Sequence, residues 1–407
     1  MGKKKILNDP IYGFISSPFE ITYELMDHPW FQRLRRIAQM GLSHYVYPGA
    51  NHTRFHHASG ALHLMTKAIF SLQDKGVQIS GEEAKALSIA ILLHDIGHGP
   101  FSHALEHVLV NERHEALSLT MMEFLNEDYR GELDMAIEIF TGRYPKKFLH
   151  ELVSSQLDMD RMDYLNRDSF YTGVAEGVIG YDRLIKMLNV HDNRLVIEEK
   201  GIYSVEKFIM ARRLMYWQVY LHKTSVATEQ MLQLFVHRLL ELIPGEGERC
   251  IDPVLHSLLS GRGNAIDRNI IDLFCAVDDV NILMALKQAR HAEDELLQYL
   301  AQCLLDRRLF KIRMENDPIS QELKGEILAK VKMAFHFPGD IAEKLIIEGR
   351  QSNVAYQNAD DEIHILMKDG RCLPYSMVSD YAAHRGTAEK YFICFPNADT
   401  ESPQAGF

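Results

Sequence analysis

The apolar run Ile89–Leu93 ends on His94-Asp95, and Gly97, Gly99 and Pro100 follow at once. This junction constrains the fold more than any other stretch of the chain. Residues 80–94 have helical composition, and Ser80 with Glu83 three residues later forms a capping box that starts the helix. Such a helix has to be buried, so its last turn carries an imidazole and a carboxylate inside. Burying those groups is costly unless a partner compensates them. Glycine and proline then take the chain out of the helix, so His98 and His103 line a loop around the same place.

The chain has 20 histidines in 407 residues, unevenly spread. Arg54-Phe55-His56-His57 lies upstream; His114-Glu115 and an acidic cluster from Asp158 through Asp160, Asp163 and Asp168 lie downstream. Imidazole and carboxylate are the ligands that hold Zn, Mn, Fe, Ni or Co. Any one of these histidines, read singly, is a satisfied core residue. The block as a whole points to a metal centre with spare imidazoles, which suit acid–base work or phosphate neutralisation.

Composition excludes several classes. Lys+Arg 44 against Asp+Glu 56 gives −12, which argues against a non-specific nucleic-acid or membrane-surface binder. No apolar run approaches the ~18 residues a membrane helix needs. Lys3–Lys5 has no apolar segment behind it, so no signal peptide is expected. Five cysteines without a C-x-x-C pair exclude a disulfide framework and a thiolate zinc site, and fit a reducing cytoplasm.

The fold expected is mainly α. Helical spacing covers 114–126, 146–168, 203–243, 266–312 and 318–334, and Arg194–Glu199 after Asp192-Asn193 reads as part of a short β-hairpin. The character changes near Pro338-Gly339. Glu362–Met367 and Arg371–Val378 flank the turn signal Asp369-Gly370, Tyr391–Phe395 is a third strand, and Thr400–Phe407 is expected to fray. This divides the chain into a helical domain, residues 1–337 with the metal core at about 50–170, and a small α+β appendage, residues 338–407.

Six stretches carry a family resemblance: Phe31–Arg35 (FQRLR), Tyr47–Ala50 (YPGA), Arg54–His57 (RFHH), His94-Asp95 through His103, Asp158–Asp168, and Tyr220–Lys223 (YLHK). Together they resemble the HD-domain phosphohydrolases, in particular the branch that hydrolyses deoxynucleoside triphosphates. The resemblance runs from Asn8 to about Lys223. It implies an HD helical core without a sterile-alpha-motif domain. It also implies one divalent transition metal on His57, His94, Asp95 and Asp160, with magnesium a candidate at the phosphates. Separations of 94 − 57 = 37 and 160 − 95 = 65 residues require three helices to converge.

By the same resemblance His98, His103 and His114 surround the α-phosphate, with His103 as proton donor and Glu115 orienting His114. Arg54, Arg161 and Arg212 face the triphosphate. Tyr164, Asp168, Tyr220 and Gln39 meet the sugar. Asp27, Gln32, Arg35 and Lys223 match a regulatory nucleotide site between subunits, so a homo-oligomer, dimer or tetramer, is implied. Vertebrate members carry lysine at Arg161, histidine at Tyr216 and glutamate at His56; the first two put the phosphate grip and the base side in question. Two alternatives stay open: an HD phosphohydrolase acting on nucleoside monophosphates, cyclic nucleotides or (p)ppGpp, and a non-catalytic nucleotide-sensing protein.

Overall fold

The computed structural model describes residues 5–263, 265–335, 339–353, 362–379 and 388–397. The expected boundary residue Pro338 and the tail Thr400–Phe407 lie outside them.

Three helices position the site, and each starts on a cap written in the sequence. The Gly81–Leu93 helix opens on the Ser80/Glu83 box: Glu83 N–H donates to Ser80 Oγ at 3.1 Å, and Ser80 N–H to Glu83 Oε2 at 2.8 Å. From Ala86 to Leu93 every residue is buried, which is why no polar face can be read along it. The Arg54–Asp74 helix opens on Thr53, whose N–H donates to His56 Nδ1 at 3.1 Å. His56 is thus a capping residue. The Met159–Thr172 helix opens on Asp158, which accepts Arg161 N–H, and closes on Gly173 at φ +74°. The Arg54–Asp74 helix packs against both others. Ligands from two helix starts and one helix end meet as a result.

Long helical stretches break where caps intervene. Residues 146–168 form two helices, Lys147–Val153 and Met159–Thr172; Ser155 N–H donates to Asp158 Oδ2 at 2.8 Å across the gap. Residues 203–243 divide into Ile202–Met215, a π-helical turn Tyr216–Tyr220, and Lys223–Glu241 capped by His222. Residues 266–312 divide into Arg268–Cys275, Asp279–Ala289 and Glu295–Leu305, capped by Asp267, Asp278 and Asp294. An aspartate that accepts the first free N–H groups ends one helix pattern and begins the next.

The sheets are small. Strands β1 (Leu7–Asp9) and β2 (Gly13–Ile15) form an antiparallel hairpin with Leu7 opposite Ile15. Strands β3 (Leu188–His191) and β4 (Arg194–Glu198) turn through Asp192-Asn193, both at positive φ, as a tight hairpin requires. Strand β5 (Lys311–Glu315) and strand β6 (Ile347–Asn353) flank β9 (Ala388–Phe395), antiparallel on both sides. Strand β7 (His364–Leu366) pairs in parallel with β4, and β8 (Cys372–Pro374) pairs antiparallel with β7. The C-terminal segment therefore pairs with one strand from upstream of residue 338, β5, and extends the β3–β4 sheet with two of its own, β7 and β8. Ile327, Val331, Ala342, Ile346 and Ile393 form a satellite core beneath β9. Among the described residues no helix is long and apolar enough to cross a membrane.

Candidate metal centre and its chamber

Four donor groups converge where the three helices meet. His57 Nε2 lies 3.3 Å from His94 Nε2, 3.1 Å from Asp160 Oδ1 and 3.6 Å from Asp95 Oδ2. His94 Nε2 lies 3.5 Å from Asp160 Oδ1 and 3.6 Å from Asp95 Oδ1. Ligands bound at about 2.0–2.2 Å around one divalent ion stand roughly 3.0–3.6 Å apart; His57, His94 and Asp160 fit one, and Asp95 stands beside them with a different oxygen nearest each histidine. The remaining ring nitrogens are tied down. His57 Nδ1 donates to Asp163 Oδ2 at 2.8 Å and His94 Nδ1 to the Ile91 carbonyl at 2.6 Å, which turns both Nε2 atoms inward. Arg54 pairs with Asp95 and donates from Nε to Ser102 Oγ at 2.8 Å.

The electrostatics agree. Burial depresses the His57 imidazole, but hydrogen bonds to Asp160 and Asp163 carry it up to about 10. Burial is likewise outweighed at His94, raised by Asp95 and Asp160, and at Asp95, held low by His94 and Arg54. The pocket attracts positive charge, which a divalent ion supplies when bound.

Beside it stand three imidazoles. The His98 and His114 rings stack at 3.9 Å, and His103 meets them edge-on at 4.8 and 5.1 Å. Burial and the neighbouring Arg54 push His98 well below its usual range, so it is neutral. Glu106 accepts from His103 Nδ1 at 3.0 Å and His114 Nδ1 at 2.7 Å, and also from the His114 N–H at 3.1 Å. Glu106 was not read from the sequence, although its place three residues after His103 was a usable signal. Glu115, expected to orient His114, lies 3.5 Å from Nδ1 and pairs with Arg113 at 2.9 Å. Glu106 holds both rings because the loop Phe101–His107 folds back under the start of the His114–Asp128 helix.

Metal pocket and imidazoles open into one chamber of about 690 Å³, lined also by Gln39, Arg54, Arg161, Tyr164, Asp168 and Tyr220. Asp168 is gripped from both sides, by His52 Nε2 at 2.7 Å and Tyr220 Oη at 2.7 Å. The Tyr164 and Tyr220 rings stand 6.1 Å apart. Arg161 pairs with Asp158, and its buried Nε has no partner among the described residues. Gln39 Oε1 is also buried without a partner among those residues. Arg212 does not line the chamber. It donates to Gln156 Oε1 at 2.9 Å, with Tyr216 standing on the chamber wall.

A family model described as the HD associated region matches residues 179–250. A phosphohydrolase from Bacteroides thetaiotaomicron is 45% identical, with a TM-score of 0.92 over 97% of this chain and 100% of that one. The uncharacterised YwfO protein of Bacillus subtilis is 31% identical over 76% of this chain and 72% of its own length. The chain belongs to the HD-domain phosphohydrolases. The human deoxynucleoside triphosphate triphosphohydrolase SAMHD1 is 30% identical over 56% of this chain, which spans only 43% of that protein. Membership of this family implies a hydrolase with a divalent metal, and the donor geometry above fits that ion.

This HD phosphohydrolase has one further acid in its chamber, Glu229, on the Lys223–Glu241 helix. Nothing in its local sequence marked it. Burial pushes its carboxyl up to about 7. The folded protein therefore holds a proton that the unfolded chain releases near 4.5, and stability falls as pH rises between those values and is level above. Glu229 faces the chamber, so the cost at pH 8 is only about 1–2 kcal/mol. Glu229→Gln should melt about 1–2 °C above the parent at pH 8 and together with it at pH 5. Coincident melting at both pH values would show that the carboxylate ionises in the chamber without cost.

Asp27, Gln32 and Arg35 lie together on an outer surface. Lys5 pairs with Asp27; Gln32 donates to the Met26 carbonyl at 2.7 Å and accepts Arg35 Nε at 2.9 Å. Arg35 covers the Phe55 ring at 3.5 Å. Lys223, exposed, opens its helix behind the His222 cap.

Proposed function

We propose that this chain hydrolyses deoxynucleoside triphosphates to the deoxynucleoside and inorganic triphosphate. The observation that carries the reading is the chamber where the His57, His94 and Asp160 donors with Asp95 beside them, three imidazoles, Arg161 and a tyrosine pair with Asp168 meet. That combination offers a place for a metal, a polyphosphate and a sugar in sequence. The similarity to the human triphosphohydrolase supports the same substrate class.

His57, His94, Asp95 and Asp160 would hold the metal. A divalent ion bound there supplies an activated water and a Lewis acid for phosphoryl oxygen. Arg54 and Arg161 offer fixed positive charge to the phosphates, the main requirement in phosphoryl transfer. Arg212 stands behind the chamber wall, over the Tyr216 ring and close enough for its charge to act on Tyr164, so its part is to hold that wall and add positive charge behind it. His103 gives its proton to the departing 5′-oxygen, and Glu106, which accepts from its Nδ1, fixes the ring for that transfer. Asp168, oriented by His52 and Tyr220, accepts a sugar hydroxyl; the tyrosines stack beside the ring. Asp27, Gln32, Arg35 and Lys223 would bind an activating nucleotide between copies of the chain.

The test is incubation of the purified protein, with Mn²⁺ or Mg²⁺, with each dNTP, each NTP and an equimolar dNTP mixture, resolved by ion-pair chromatography. Deoxynucleoside and intact triphosphate in equal amounts are expected. Turnover confined to the mixture supports the activating site. Monophosphate with pyrophosphate, or no release while metal is bound, rejects the reading and points to a monophosphate, cyclic or alarmone substrate.

A further inference from the structure

The metal-site histidine is connected to the amino-terminal hairpin by a continuous line of buried charged groups. His57 Nδ1 donates to Asp163 Oδ2 at 2.8 Å. Arg167 grips the same carboxylate with a fork, Nε to Oδ2 at 2.9 Å and Nη2 to Oδ1 at 3.0 Å. Its third nitrogen, Nη1, donates to Asp9 Oδ2 at 2.8 Å. The side chains of His57, Asp163 and Arg167 are fully buried and that of Asp9 is 4% exposed. Asp9 is itself immobilised, because Oδ1 accepts the N–H groups of Ile11 and Tyr12 at 2.9 and 3.0 Å in the turn between β1 and β2.

We infer that Asp9 is a positioning residue for His57, acting through Arg167 and Asp163. The inference rests on the metal-centre reading proposed above. A histidine ligand is oriented and made more basic by the carboxylate behind it, and here that carboxylate shares its single cation with a second one. Asp9 draws part of the guanidinium charge toward the hairpin. Without it, Arg167 Nη1 is left buried with no acceptor, and Asp163 carries the guanidinium alone. Asp163 then accepts less strongly from His57, and the ring is freer to tilt. The two halves of the Asp9 carboxylate have separate jobs: Oδ1 shapes the turn, and Oδ2 serves the metal site.

That division makes the inference testable. Asp9→Asn keeps an oxygen for the turn but presents an amide NH₂ to Arg167, which it cannot accept from. Metal-free full-length protein is titrated with Mn²⁺ or Zn²⁺ against a chromogenic chelator. Asp163→Asn should weaken binding about 10- to 100-fold and Asp9→Asn about 3- to 10-fold. The double variant should be no weaker than Asp163→Asn alone, since both act through one chain. Asp9→Ser, which also retains a turn acceptor, should match Asp9→Asn and serves if that variant does not fold. A purely structural Asp9 lowers the melting temperature of the metal-free protein and leaves affinity within twofold of the parent, which overturns the inference. His57→Ala separates the two readings. Unchanged metal affinity in His57→Ala overturns the metal-centre assignment itself; lost affinity there with full affinity in Asp9→Asn overturns only the role of Asp9.

Discussion

Replacing His94 by alanine should give a folded protein that neither retains a divalent metal nor turns over substrate. His94 supplies one of four converging donors, and its Nε2 lies within 3.6 Å of the other three. Loss of one ligand from a set this small lowers metal occupancy far more than the 10- to 100-fold cost of losing an outer partner, so turnover should fall by more than about 10³-fold. The fold should survive. His94 ends its helix with a single backbone contact to Ile91, and Asp95 keeps its pairing with Arg54. Metal analysis of the purified variant, melting with and without chelator, and turnover decide the matter together. Metal stabilises only what it binds, so the parent should melt lower after chelation and His94→Ala should not change. Stoichiometric metal in His94→Ala would falsify the assignment.

What the sequence made legible, and what it hid, follows from how each signal is encoded. The His94-Asp95 pair stood out because a histidine and an aspartate next to helix-breaking residues are costly in a buried helix end; His57 and Asp160 entered as candidate ligands only through the family resemblance. The Ser80 cap and the Asp192-Asn193 turn were readable because their chemistry is local. Glu229 and Asp9 were not, because the burial of the one and the contact of the other with Arg167 are made by tertiary folding; Glu106 and Arg167, three and four residues after His103 and Asp163, carried local signals that went unread. Asp163 sat inside an acidic cluster already singled out, yet its contact with His57 crosses between helices. The long stretches 203–243 and 266–312 looked continuous because composition stays helical across Tyr216–Tyr220, Asp278 and Asp294. The parallel pairing of β7 with β4 is a non-local choice that leaves no local trace.

Gly60→Ala should destabilise the protein although it places a better helix former in the middle of the Arg54–Asp74 helix. Propensity alone predicts a gain of about 1 kcal/mol. The added Cβ, however, would lie 2.1 Å from Arg167 Nη2, 2.1 Å from Asp163 Oδ1 and 2.8 Å from Asp163 Cγ. These atoms have nowhere to retreat, since Asp163 is held by His57 and Arg167, and Arg167 by Asp9. Room for a methyl group means parting a fully buried ion pair, which costs about 3–5 kcal/mol. Packing therefore outweighs propensity, and the net loss should be about 2–4 kcal/mol. Gly325, exposed within the Gln321–Phe335 helix and with nothing within 4 Å of its added Cβ, is the internal control. Gly325→Ala should gain up to about 1 kcal/mol. Urea unfolding of both variants, metal-free, reads the contrast directly. The close approach of the two helices at Gly60 would lose its assigned importance if Gly60→Ala unfolded at the parent midpoint. The same variant should also bind metal more weakly, because the atom its methyl displaces is on the carboxylate that orients His57.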